Sequence, residues 1–94
     1  MQIDHNILIT YGGVSKKFEK GEIIFWEGTL PHFFYQIVEG EVKLFSTNTD
    51  GKELIQGIFK NGNSFGEPPL LLDRHSPSTA QTIPPAVIIR IGKE

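Results

Sequence analysis

Cysteine is absent from the 94 residues, which excludes a disulfide framework and a thiolate metal site. No apolar run approaches the roughly 18 residues that a membrane-spanning helix requires. The opening Met1-Gln2-Ile3-Asp4-His5 has neither a basic n-region nor an apolar h-region, and the expected location is the cytoplasm, without membrane attachment. Cations are not in excess. Nine Lys and Arg stand against eleven Asp and Glu, for a net charge of −2, and phosphate neutralisation needs clustered basic residues. Direct DNA binding by this chain is therefore not expected. The three histidines, His5, His32 and His75, are far apart and form no His-x-His or His-x-x-x-His pair, so they read as surface residues and no metal is expected. Catalytic pairing is missing too. Glu39 and Glu41 flank a turn glycine and point to solvent, and Ser76, Ser78 and Thr79 have no partnered histidine and carboxylate in sequence. The chain is not expected to be an enzyme.

What is present is a core-forming composition. Hydrophobic residues make up 38% of the chain, including seven Phe, two Tyr and one Trp, which is a globular rather than a disordered balance. A chain of this length forms one domain, 1–94, that buries about 60–65% of its unfolded surface. Glycines at 21, 28, 40, 51, 57, 62 and 66 punctuate short apolar or alternating runs, the spacing of successive strands. Val14 to Phe18 and Glu22 to Trp26 flank a Lys20-Gly21 turn, and His32 to Val38 and Glu41 to Thr47 flank Glu39-Gly40. In the last of these runs Val42, Leu44 and Ser46 alternate with Glu41, Lys43 and Phe45, which predicts one buried and one wet face. Asn48-Thr49-Asp50-Gly51 supplies the positive φ of a hairpin turn, returning as Glu53 to Phe59. Pro77 to Ile83 and Ala86 to Ile91 complete a set of about eight strands, an all-β jelly roll. Helix is expected only around Ile7-Leu8-Ile9 and for one turn after Glu67, with Pro68 in the first helical position. The run Phe33-Phe34-Tyr35, with Phe25 and Trp26, lacks interleaved basic residues and reads as core and barrel rim.

Five segments carry a specific resemblance. Lys20-Gly21-Glu22-Ile23-Ile24-Phe25, Glu27-Gly28, Tyr35 to Leu44, Asp50-Gly51-Lys52-Glu53 and Gly62-Asn63-Ser64-Phe65-Gly66-Glu67 occur in an order and spacing similar to the cyclic-nucleotide-binding domain of the Crp/Fnr (catabolite activator) family of transcriptional regulators. The resemblance covers nearly the whole chain and implies a double-stranded β-helix jelly roll. The variant Gly66-Glu67-Pro68-Pro69-Leu70 looks like a divergent branch of that family.

The resemblance also implies a phosphate-binding cassette. In such a pocket a carboxylate accepts from the ribose hydroxyl, and a guanidinium with several backbone N–H groups holds the ring phosphate. Gly66 and Glu67 match the positions that approach the sugar. Thr79 matches the residue facing the phosphate, and Ala80 the small residue that follows. Ser78 stands at the arginine position and cannot offset a phosphate's charge. A charge-assisted bond contributes about 1.5–3 kcal/mol, so its loss is expected to weaken cyclic nucleotide binding roughly tenfold to a hundredfold or more. Arg74, next to Asp73, reads as a solvated ion pair.

Members of the family continue into a dimerisation helix and a helix-turn-helix, and this sequence stops at Gly92-Lys93-Glu94, so it is expected to be a sensor module truncated before them. The function implied is effector sensing, with weak or lost binding of a cyclic nucleotide or other small anion, no cofactor, and contact with DNA only through the helix-turn-helix. The remaining partners implied are a nucleotide-like effector and a second copy in a homo-oligomer. Two other classes stay open on the residues: a cupin-like small-molecule or metal enzyme on a similar jelly roll, and a protein-interaction module.

Overall fold

A computed structural model describes residues 4–30, 33–65 and 75–92. Their order is α1 (His5–Thr10), β1 (Val14–Phe18), β2 (Ile23–Phe25), β3 (Phe33–Glu39), β4 (Val42–Thr47), β5 (Glu53–Phe59), β6 (Ser64–Phe65), β7 (Thr79–Thr82) and β8 (Ala86–Gly92). Two antiparallel four-stranded sheets result, one in the order β1-β8-β3-β6 and the other β2-β7-β4-β5. The pairings are nested: β4 with β5, β3 with β6, β2 with β7 and β1 with β8. This is the wrapped hairpin of a jelly roll, as the run of eight short strands predicts.

Local chemistry sets the turns. Asn48 Oδ1 accepts from the backbone N–H groups of Asp50 and Lys52, both at 2.9 Å, and Gly51 sits at φ +81°. The Asp50-Gly51 pair thus delivers the hairpin that joins β4 to β5. At the other end of the chain, Asp4 caps α1 by accepting from the N–H of Asn6 at 2.8 Å. Leu8 is the buried residue of that helix, which packs on the outer face of β8. The helix expected around Ile7-Leu8-Ile9 is present, and the turn expected after Glu67 lies outside the described residues.

The core lies between the sheets. Along β8 the side chains of Ala86 and Ile88 enter it, facing Tyr35 and Ile37 of β3, Val42 of β4, Phe65 of β6 and Ala80 of β7. Aromatic rings fill one half. Tyr35 stacks on Phe65 with centroids 5.1 Å apart and planes 7° off parallel, and Phe25 tilts against both. Each such side chain removes on the order of 150–250 Å² from water, so a few rings dominate the burial of this small domain.

One expectation fails. Alternation places Phe45 on a wet face, but it is buried at 6% exposure alongside Val42 at 0%. The β4–β5 register shifts between Leu44 and Phe45, which breaks strict alternation there. In addition Lys43 lays its ammonium 5.0 Å from the centre of the Phe45 ring, covering it with a cation that remains at the surface.

Candidate functional site

The described residues of the expected cassette, Ser78, Thr79 and Ala80, lie immediately before and at the start of β7. Ala80 pairs with Phe25 of β2 on one side and Leu44 of β4 on the other and is fully buried, so nothing larger fits between the strands without displacing the core. Thr79 is 3% exposed, and its Oγ1 accepts a 2.9 Å hydrogen bond from the Glu27 N–H. Ser78 is 4% exposed. The segment leading into β7 is tied to the β2–β3 loop by two backbone bonds, Gly28 N–H to Ser76 O at 2.9 Å and Ser76 N–H to Thr29 O at 2.8 Å. Ser78, Thr79 and Ala80 therefore stand together, buried and uncharged, at the start of one interior strand. Gly66 and Glu67, the other two residues of the expected site, lie outside the described residues, as do Arg74 and His32.

A second feature went unread in the sequence. At one end of the sandwich a cleft of about 350 Å³ opens between the sheets, walled by Ile24 and Phe25 of β2 and by Phe33 and Tyr35 of β3. Thr29 and Leu30 of the intervening loop and Arg90 of β8 complete it. Arg90 pairs with Tyr35 across the β3–β8 ladder, and it follows Ala86 and Ile88 in the alternation of β8. It is thus the third inward residue of that strand. Its guanidinium carbon lies 4.4 Å from the centre of the Phe33 ring, and its Nε is buried with no hydrogen-bond partner. The Tyr35 hydroxyl is held above its ordinary pKa by burial, an effect opposed by the nearby Arg90 charge. The available signal was the single cation inside Val87-Ile88-Ile89-Arg90-Ile91, at the parity of the core positions.

Other polar groups have structural tasks. His5 Nδ1 lies 2.9 Å from Gln36 Nε2 on the face under α1, and His75 is exposed. Among the described residues no cluster of three or more His, Cys, Asp or Glu side chains could hold a metal ion. No described helix is long and apolar enough to cross a membrane.

Comparison with known proteins agrees with this architecture. Residues 15–94 match the family model of the cyclic nucleotide-binding domain. The cyclic AMP receptor protein of Thermus thermophilus is 27% identical over 77 residues, which cover 82% of this chain and 36% of that protein. A solved regulatory protein of Silicibacter pomeroyi, taken to bind cAMP, superposes with a TM-score of 0.84 at 26% identity over 94% of this chain and 40% of its own. The sensor domain of the transcriptional regulator DNR of Pseudomonas aeruginosa shares the fold, with a TM-score of 0.82 at 24% identity over 93% of this chain and 61% of its own. The chain thus spans about a third of the curated relative it matches. A family match running from β1 through β8, on a jelly roll with the strand order described above, establishes that the chain belongs to the cyclic nucleotide-binding domain family.

Proposed function

We propose that the chain is the non-catalytic effector-sensing domain of a cytoplasmic Crp/Fnr-type transcriptional regulator, and that its affinity for cyclic nucleotides is weak or lost. One observation carries the reading: the described cassette residues offer only buried neutral groups, Ser78 among them, and the Thr79 hydroxyl is engaged by the Glu27 N–H. A ring phosphate brought to this strand meets hydroxyls and main-chain amides without a fixed positive charge from Ser78, and neutral donors contribute about half of what charge-assisted ones do. Glu67 takes the ribose hydroxyl in this reading. Contact with DNA belongs to a separate helix-turn-helix.

Isothermal titration calorimetry with cyclic AMP and cyclic GMP tests it. Heats are expected to be weak or absent, and Glu67→Ala to remove any that appear. Submicromolar affinity for either nucleotide with Ser78 in place overturns the reading.

A second reading, a protein-interaction module acting through a second copy, is favoured by one surface. Leu54, Ile55 and Ile58 of edge strand β5 are 43–58% exposed, an apolar group of the kind that self-association covers. Sedimentation velocity over a range of concentrations checks it, and a monomer at every concentration excludes it.

A further inference from the structure

We propose that the cleft between β2, β3 and β8 is a binding site for a small organic carboxylate, with Arg90 as its counter-ion. None of Ser78, Thr79 and Ala80 lines this cleft, and the proposal does not depend on whether those residues bind a nucleotide.

Arg90 lies on the inward side of β8, behind Ala86 and Ile88, both 2% exposed or less, and opposite Tyr35 at 5%. Arg90 is half-buried, and a buried donor of a charged group is disfavoured unless an acceptor meets it. None of the described carboxylates meets it. The one ion pair among the described residues joins Lys43 to Glu53, and Arg90 Nε is a buried donor without an acceptor. Its guanidinium carbon lies 4.4 Å from the centre of the Phe33 ring, a cation–π contact that leaves the charge without an anionic partner among the described residues.

The walls define what that partner is. Ile24, Phe25, Leu30 and Phe33 are apolar lining residues, and besides Arg90 the lining includes Thr29, whose hydroxyl donates to Trp26 O at 2.7 Å, and Tyr35. A fully hydrated inorganic anion gains nothing from such walls. An amphiphilic monoanion gains twice, by placing an aromatic or branched body against them and a planar carboxylate on the guanidinium fork. About 350 Å³ lies at the lower end of the range for small-molecule pockets, which limits the ligand to a compact acid of one ring or a short branched chain. Tyr35 lines the same cleft, and its phenol, protonated at neutral pH, supplies a second donor to the same carboxylate.

The test is a ¹H–¹⁵N NMR titration of the chain with sodium phenylacetate, alongside 2-phenylethanol as the neutral analogue and sodium phosphate as the inorganic anion. Phenylacetate is expected to shift the Arg90 Nε–H and the amides of Thr29, Leu30 and Phe33 saturably, with a dissociation constant on the order of a millimolar or tighter. The alcohol is expected to bind about tenfold or more weakly, as is phenylacetate to Arg90→Gln, reflecting the lost charge-assisted bonds. Failure of phenylacetate to perturb Arg90 at millimolar concentration overturns the proposal. Equal response to the alcohol removes Arg90 as counter-ion, and an equal or stronger response to phosphate replaces the carboxylate class by an inorganic anion. Should Arg90→Gln not fold, the three titrations of the unsubstituted protein decide the matter. A cyclic AMP titration is followed at the Ser78, Thr79 and Ala80 amides in the same spectra, so the two sites succeed or fail independently.

Discussion

Thr79 Oγ1 accepts the Glu27 N–H across 52 residues of sequence, joining the first residue of β7 to the loop that leaves β2. The hydroxyl thus ties β7 to the loop that follows β2. Thr79→Val keeps the shape and strands the amide. A loss of about 1–3 kcal/mol is expected from the unsatisfied donor, with Thr79→Ser recovering most of it. Urea denaturation of the two variants measures this, and equal stability of Thr79→Val and the unsubstituted protein contradicts a structural task for the hydroxyl.

Ile88 is fully buried where β8 faces both sheets. Truncation to Ala should cost about 2–5 kcal/mol and to Val about 0.5–1.5 kcal/mol. A domain this small has little surplus, so Ile88→Ala is expected to be largely unfolded at 37 °C by circular dichroism.

Glycines 40 and 51 both have positive φ but differ in surroundings. At Gly51 an added Cβ meets nothing within 4 Å, and Gly51→Ala should cost only the backbone penalty of about 1–2 kcal/mol. At Gly40, with φ +120°, the same atom would lie 2.7 Å from Ala86 Cβ and 2.9 Å from Ala86 Cα. Gly40→Ala therefore adds a steric cost of about 1–3 kcal/mol, because backbone in a central strand cannot step aside. Comparative thermal melts should rank Gly40→Ala well below Gly51→Ala, and the reverse order contradicts the packing described.

Burial raises the Tyr35 pKa above 10.0, and the opposing Arg90 charge reduces the effect without reversing it. The folded state then holds the phenolic proton more tightly than the unfolded chain. The corresponding stability is complete below the unfolded value near 10 and is lost as pH rises through the higher folded value. Urea midpoints between pH 8 and about pH 11 should fall for the unsubstituted protein. They should fall less steeply for Tyr35→Phe. An identical alkaline slope in both would show that another group controls it.

Much of the fold was legible because its signals are local. The Asp50-Gly51 turn, the alternation bounding β1 to β5 and the short apolar block of β8 depend on a few adjacent residues, and the strands begin and end within about two residues of where those patterns place them. Phe45 was misread because a register shift changes parity in a way that no residue beside it announces. The cleft was missed for a different reason. Arg90 acquires its meaning only when β8 pairs with β3, setting it opposite Tyr35 and over Phe33, more than fifty residues away in sequence. On β7, the burial of Ser78 and the Glu27 bond to Thr79 likewise arise from contacts with distant strands.

The nested pairing has a kinetic corollary. β8 comes last in order among the described strands, yet it lies between β1 and β3, so neither has its principal partner until Ala86 to Gly92 have been synthesised. On the ribosome the β4–β5 hairpin can close early, while Val14 to Phe18 waits with its hydrogen-bonding edge open. The first sheet is therefore completed by β8, and delay in its synthesis leaves a nascent chain exposed to chaperones and to its neighbours.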